Sequence, residues 1–98
     1  MSNSFRLTPR AVADLDAIAD YTIETWGLAQ LEVYLMGFNN RFQWLADNPL
    51  AGRERYDVHP GYRSYPEGNH VIFHIINDDQ VDIIGIPHKS MDVSAFFI

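Results

Sequence analysis

The chain contains no cysteine, so a disulfide bond cannot stabilise it, and its stability must come from its core or from a bound partner. Long apolar stretches are also missing. No segment approaches the length of a transmembrane helix, and the N-terminal MSNSFRLTPR has no apolar run of signal-peptide length. We therefore expect a cytoplasmic protein that does not associate with a membrane.

Basic residues are scarce, with 7 Lys and Arg against 13 Asp and Glu and a formal net charge of −6. General affinity for nucleic acid normally requires a basic surface that neutralises phosphates, so we expect no direct sequence-specific binding of nucleic acid. Low-complexity segments are absent as well. With 98 residues, 47% of them hydrophobic, the chain is predicted to form one domain over residues 1–98.

Two amphipathic helices are predicted between residues 9 and 48. The first begins with Thr8 as its N-cap and Pro9 at its first helical position, and it ends at Gly27. The second runs from about residue 29 to residue 47, where Asn48-Pro49 ends it. Apolar residues at helical spacing indicate core-facing stripes in both: Leu15, Ile18, Ala19, Thr22 and Trp26, then Leu31, Tyr34, Leu35, Phe38, Phe42 and Leu45.

The first helix also carries Asp16, Asp20 and Glu24, which fall four residues apart on another face. A row of carboxylates can belong to a metal or acid/base site. It is also the ordinary solvated side of an amphipathic helix. We favour the solvated side, because three carboxylates in one row bind a metal firmly only with ligands from elsewhere.

Strand patterns occur at residues 5–8, 62–66, 70–76 and 81–86, and polar turns lie at 66–69 and 77–80. Residues 50–61 are predicted to form a loop, whose Arg53 and Arg55 are equally consistent with an anion site and with ordinary surface arginines. Pro87 should stop the last strand or make it bulge. The predicted fold is α+β: an N-terminal strand, then a helical hairpin packed on one face of an antiparallel sheet of about four strands.

Histidines are concentrated in the predicted sheet. By alternation, His70 and His74 share one face of their strand with Ile72, while Val71 and Phe73 point the other way. We expect the second set, together with Ile75, to meet the helices. The two imidazoles would then lie on the helix-free face, where a partner can reach them, although a structural role is also common for such histidines.

The order of these patterns resembles the ParE toxins of the RelE/ParE superfamily over nearly the whole chain. The resemblance is carried by a combination of short motifs: Thr8-Pro9, Tyr21, Trp26-Gly27, Asn48-Pro49, Arg63, Gly68, His70-Val71-Ile72-Phe73, His88 and Met91-Asp92. It implies the fold derived above and a toxin of a type II toxin–antitoxin module. Two positions depart from the family pattern, Pro87 before the histidine of the last motif and Ser90 before Met91.

The resemblance also implies partners and a target. A ParD-like antitoxin would hold the toxin inactive, and DNA gyrase is the expected target, trapped on cleaved DNA without an enzymatic step and without a cofactor. The antitoxin is expected to be acidic. Because the toxin is acidic too, binding would have to rely on apolar burial and on a local arrangement of Arg63, Lys89 and the arginine loop.

The rival function within the superfamily is ribosome-dependent cleavage of mRNA, as in RelE-like toxins. It requires a base, an acid and cations, and the candidates are His70, His74, His88, Tyr65, Arg63 and Lys89. A degenerate toxin that retains only antitoxin binding is a further alternative. A metal site on one strand is not expected, because His70 and His74 are about 13 Å apart by strand rise.

The apolar C-terminal tail, residues 95–98, should dock on the body or on a partner. No catalytic residue and no metal ligand is assigned. The residues expected to bind the target or the antitoxin are Arg63, Tyr65, His70, His74, His88, Lys89, Met91, Phe96 and Phe97.

Overall fold

The computed structural model describes residues 4–97, so residues 1–3 and Ile98, which belong to the predicted domain and tail, lie outside the described residues. Two long helices follow a first strand, and four more strands and a short helix complete the chain. The elements are β1 Ser4–Leu7, α1 Pro9–Trp26, α2 Leu28–Asp47, β2 Arg53–Glu54, β3 Arg63–Glu67, β4 His70–Asn77, β5 Gln80–Gly85 and α3 Val93–Phe96. None of these helices, within the described residues, is long and apolar enough to cross a membrane.

The helix boundaries confirm the sequence prediction and its physical reasons. The Thr8 hydroxyl accepts a hydrogen bond from the Ala11 N–H at 3.2 Å and donates one to the Ile83 carbonyl at 3.1 Å. The cap therefore ties the start of α1 to β5. Gly27, with φ of 89°, adopts a left-handed conformation that favours glycine, and it lets α2 begin one residue after α1 ends.

The predicted α+β fold is confirmed, and its sheet has five strands in the order β1-β5-β4-β3-β2, one more than the approximately four that were predicted. The extra strand, β2, lies in the predicted loop and pairs antiparallel with β3 through only two residues. A strand this short shows no periodicity that a sequence could reveal. The predicted antiparallel meander of the last three long strands is confirmed, and β1 joins one edge of it as predicted, but pairs parallel with β5, so the sheet is mixed.

The core lies between the helical hairpin and one face of the sheet, as predicted. Its buried members come from both helices, from β4 and β5, and from the residue that follows β5: Ala11, Phe38, Phe42, Leu45, Ile72, Val81, Ile83 and Ile86. The helices meet the sheet mainly over β1 and β5.

The predicted face of the histidines is wrong. Ile72 belongs to the core beneath the helices, so His70 and His74, which share its side of β4, also face the helical layer. Phe73 points to the opposite face, where its ring centroid lies 5.0 Å from that of Phe97 and 5.2 Å from the Arg55 guanidinium carbon. Both faces of β4 are thus covered by other parts of the chain. Alternation of residues along the strand therefore does not reveal which face meets the helices.

The described part of the C-terminal tail, residues 95–97, docks on the body, one of the two expected outcomes. Arg10 of α1 donates a hydrogen bond to the Phe96 carbonyl at 2.6 Å, and its guanidinium lies 4.0 Å from the centre of the Phe96 ring. The ring of Phe97 packs edge-on against Tyr62 and Phe73. A Cβ at Gly85 would approach the Phe96 ring to 2.8 Å, so the absent side chain allows this contact.

Candidate functional site

An open groove of about 470 Å³ separates α1 from the segment that follows β5. One wall is a face of α1, the other wall is residues 86–91, and Tyr34 of α2 and the β3–β4 turn contribute to its lining. The residues that line the groove include Asp14, Ala17, Ile18, Tyr21, Trp26, Tyr34, Asn69, His70, Ile86, Pro87, His88, Met91 and Phe96.

The second wall of the groove exists because β5 ends at Gly85, shortly before Pro87. The Ile86 N–H leaves the ladder and donates to the Asp14 carboxylate on α1 at 2.9 Å. Beyond it, the Val71 N–H donates to the Pro87 carbonyl, and an isolated bridge joins His70 to His88. The predicted stop at Pro87 is confirmed, and its consequence is a chain segment that is tied both to α1 and to β4.

Two imidazoles and a phenol lie together among the polar groups of the groove. The rings of His70 and His88 lie edge to face with centroids 5.4 Å apart. The Tyr34 hydroxyl is 3.0 Å from His70 Nδ1. Burial and the nearby Glu67 carboxylate raise the pKa of Tyr34, against the lowering effect of a backbone hydrogen bond with Asn69.

The environment of His70 favours its neutral form. Burial lowers the pKa of His70, and a charge on His88 would lower it further, while the Asp14 carboxylate has the opposite effect. The groove therefore holds a neutral imidazole, hydrogen-bonded to a phenol, among apolar side chains.

The rim of the groove exposes large apolar side chains. Tyr21 is 66%, Trp26 70% and Met91 47% exposed. The sequence prediction placed Trp26 in the core-facing stripe, and this is wrong, because Thr22 is the last α1 residue of that stripe to be buried. Such clustered exposure of apolar side chains is typical of surfaces that bind another molecule.

Three of the predicted site residues lie outside the groove on β3 and β4, and they are engaged internally. The Arg63 guanidinium donates to the Gly52 carbonyl at 2.8 Å and to the Glu54 carboxylate at 3.2 Å. The ring of Tyr65 packs on Trp44, with centroids 5.1 Å apart, and His74 is fully buried. Of the other six, His70, His88, Met91 and Phe96 meet in the groove, Lys89 is exposed beside it, and Phe97 lies on the opposite face.

His74 is held between β4 and the loop after α2. Its Nε2 lies 3.2 Å from the Pro49 carbonyl, so that nitrogen carries the proton, and the lone pair of the buried Nδ1 has no partner among the described residues. Gly52 lies against the ring, and a Cβ there would come within 2.5 Å of Cε1. Burial lowers the pKa of His74, and the Arg63 charge lowers it further, against the raising effect of the Pro49 hydrogen bond.

The protein is expected to lose stability as the pH falls below the ordinary histidine pKa of 6.5. Burial keeps His74 and His70 neutral in the folded state, while the unfolded chain binds protons there, so protonation favours unfolding. The free energy of unfolding, measured by urea denaturation, should be larger at pH 7.5 than at pH 5. In His74→Gln this difference should shrink, whereas in the control His59→Gln, at an exposed position, it should persist. An unchanged pH dependence in His74→Gln would contradict the assignment.

Groups for catalysis are not gathered in one place. The candidates for a nuclease are divided between the groove and the β2–β3 end of the sheet, where His74 is sealed and Arg63 is bound to Glu54. Among residues 4–97 no three His, Cys, Asp or Glu side chains are placed to hold a metal ion. What the groove offers is an apolar channel with a few oriented polar groups, which suits binding of a polypeptide.

Comparison with known proteins agrees with this architecture. The family described as "ParE toxin of type II toxin-antitoxin system, parDE" matches residues 5–93. The protein called Toxin ParE1 of Mycobacterium tuberculosis is 35% identical over 94 residues, which cover 95% of this chain and 96% of the relative. Toxin ParE1 of Caulobacter vibrioides is 34% identical over 91 residues, covering 93% and 94%. A solved structure titled "Chromosomal ParDE TA system from P. aeruginosa" shares the fold, with a TM-score of 0.71, 20% identity, and coverage of 89% of this chain and 96% of that one.

Proposed function

Because this chain belongs to the ParE toxin family of type II toxin–antitoxin systems, we propose that it arrests growth by trapping DNA gyrase on cleaved DNA and that a ParD-like antitoxin neutralises it. The toxin acts in the cytoplasm as a binding protein, without an enzymatic step and without a cofactor. The antitoxin covers the groove between α1 and residues 86–91, so that the target and the antitoxin are alternative partners of one small domain.

The observation that carries the proposal is the exposed apolar rim of the groove. Tyr21, Trp26 and Met91 present aromatic and thioether side chains to solvent around a channel of about 470 Å³. Aromatic residues and methionine are enriched where proteins bind one another. An amphipathic helix laid in such a channel would bury these side chains together, which is a recurrent mode of peptide recognition.

Of the residues predicted from sequence, we assign His70, His88, Met91 and Phe96 to the antitoxin surface, because all four line the groove. Lys89 is exposed at its edge and is available to either partner. Arg63, Tyr65 and His74 are not assigned to a partner, since their side chains are occupied by Glu54, by Trp44 and by Pro49.

The alternative, cleavage of mRNA, finds less support. A general base and a general acid have to lie within hydrogen-bond reach of one reacting group. Here His74 is completely buried, and Arg63 is held by Glu54 at the same end of the sheet. His70 and His88 are also adjacent, but the half-buried His70 is bound by Tyr34.

The proposal predicts that purified toxin, incubated with gyrase, supercoiled plasmid and ATP, converts the plasmid to linear DNA after denaturation of the trapped complex. Omitting gyrase, or adding the antitoxin first, should abolish the linear product on an agarose gel. Codon-specific mRNA cuts in a translating extract, without DNA cleavage, would replace the proposal with the ribonuclease function. Inactivity in both assays with tight antitoxin binding would identify a degenerate toxin.

A further inference from the structure

His70 and His88 face each other across two neighbouring segments of backbone. Backbone hydrogen bonds of 2.8 and 2.9 Å join residues 87–89 to residues 69–71, and they enclose the isolated antiparallel bridge between the two histidines. A pair enclosed in this way is the closer of the two kinds in an antiparallel ladder, with Cα atoms about 4.5 Å apart and side chains close together. The backbone therefore holds the two imidazoles next to each other in the groove.

The separation of the two rings is the one that a shared metal ion requires. Their centroids lie 5.4 Å apart. Zn–N bonds of about 2.0–2.1 Å put the centre of each ligating imidazole about 3.2 Å from the ion, and a tetrahedral angle then puts the two ring centres about 5.2 Å apart. Two histidines at the observed separation can therefore bind one ion without movement of the backbone.

Each of these imidazoles is oriented through its Nδ1 atom. The Tyr34 hydroxyl lies 3.0 Å from Nδ1 of His70, and the Ser90 hydroxyl lies 2.8 Å from Nδ1 of His88. Histidines that bind a metal through one ring nitrogen usually donate the N–H of the other nitrogen to an oxygen atom. Among residues 4–97, no hydrogen bond involves Nε2 of either ring, so the two Nε2 atoms are the available ligands.

One contact of the free protein has to change when an ion binds. The Ser90 N–H donates to His88 Nδ1 at 3.2 Å, whereas an ion on Nε2 leaves the ring proton on Nδ1. Nδ1 then donates to the Ser90 hydroxyl. Because Ser90 is exposed, water replaces the lost contact of its N–H, so the exchange costs little.

The charge around the pair favours a cation. Among the described residues that line the groove, Asp14 alone carries a formal charge when histidine is neutral, and Lys89 does not line it. Burial lowers the pKa of His70, which keeps the ring in the neutral form that a metal binds, while the Asp14 carboxylate acts in the opposite direction. The net charge of −6 also attracts cations to the protein as a whole.

We propose that His70 and His88 bind one divalent transition-metal ion, such as Zn²⁺ or Ni²⁺, through their Nε2 atoms. Imidazole nitrogens suit these ions, whereas Mg²⁺ and Ca²⁺ prefer oxygen ligands. No third His, Cys, Asp or Glu side chain within residues 4–97 is placed to complete the site, so water fills the remaining positions. The ion joins residues 86–91 to β4 and fixes one wall of the groove. The proposal is independent of the proposed function, because it concerns contacts within this chain alone.

Titration calorimetry with Zn²⁺ and Ni²⁺ tests the site, using the full chain without an affinity tag in a buffer free of chelators. The wild type should bind one ion per chain and should not bind Mg²⁺. His88→Gln and His70→Gln should each remove binding at concentrations that saturate the wild type. The matched control His59→Gln, at an exposed position outside the groove, should bind normally. Tyr34→Phe, which removes only the oxygen beside Nδ1 of His70, should weaken binding by about tenfold.

Four results would overturn the proposal: no binding by the wild type, unchanged binding by His88→Gln, loss of binding in His59→Gln, or Mg²⁺ binding of similar affinity. The last two would mean that cations are attracted to the acidic protein without a specific site. Thermal unfolding in the absence of metal checks that each variant folds. Because His88 is exposed, His88→Gln decides the question if His70→Gln does not fold.

Nuclear magnetic resonance of the histidine rings identifies the ligating atoms directly. In long-range proton–nitrogen correlation spectra, Zn²⁺ should shift the Nε2 resonances of His70 and His88 and leave those of His59 and His74 in place. Shifts confined to His59, or a shift of only one ring of the pair, would refute a shared ion.

Discussion

Phe42→Ala is expected to lower the free energy of unfolding by about 3–5 kcal/mol, the usual loss for a buried phenylalanine truncated to alanine. Phe42 is 2% exposed. Its ring packs on Phe38 of the same helix and on Phe5 of β1, with centroids 5.9 and 5.5 Å away. Truncation therefore opens a cavity where α2 meets the edge strand. This loss is a large fraction of the whole stability of a small domain, which is typically about 5–15 kcal/mol.

Urea denaturation followed by far-UV circular dichroism measures this loss. Met36→Ala is a matched control, because Met36 lies on the same helix and is 65% exposed. An exposed substitution of this kind should change the free energy of unfolding by less than about 0.5 kcal/mol. Similar losses for both variants would mean that α2 does not present Phe42 to the core.

Trp26→Ala is expected to weaken antitoxin binding by about 2 kcal/mol or more, roughly thirtyfold, without lowering stability. Trp26 ends α1 at the rim of the groove and is 70% exposed, so the free domain loses little when the indole is removed. In the complex the same indole would be buried, and tryptophan is among the residues whose truncation costs most at interfaces.

Surface plasmon resonance with immobilised antitoxin measures this affinity, and thermal unfolding monitors the fold. The control is Leu28→Ala, two residues further along and 61% exposed, which does not line the groove. It should retain near wild-type affinity. If Leu28→Ala binds as poorly as Trp26→Ala, the antitoxin covers the tip of the hairpin and not the groove.

The helical hairpin was predictable almost to the residue because its signals are local. Thr8 supplies a side-chain acceptor, Pro9 fits the first turn, and Gly27 adopts a positive φ that other residues rarely tolerate. Each of these acts through its own backbone and its near neighbours. The same holds for the end of β5 before Pro87, which lacks the N–H that a strand interior requires.

The assignment of faces in the sheet was not predictable from alternation. Ile72 and Phe73 are both completely buried, one beneath the helices and the other near Phe97 on the opposite side. A pattern that is apolar on both faces has no preferred inward direction. The position of His74 therefore depends on the loop after α2, which approaches closely enough at Gly52 and Pro49 to seal the ring.

By itself the sequence determined the α+β class, the two helices with their ends, the three long strands of the second half and the resemblance to the ParE family. Only the tertiary structure decided that β1 runs parallel to β5, that His70 and His74 face the helices, and that Trp26 remains exposed. It also decided that Asp14, His70 and His88, far apart in sequence, share one groove. The physical reason is that capping, turn formation and periodicity act over a few residues, whereas strand direction, choice of face and groove geometry arise from contacts between segments that the chain brings together only on folding.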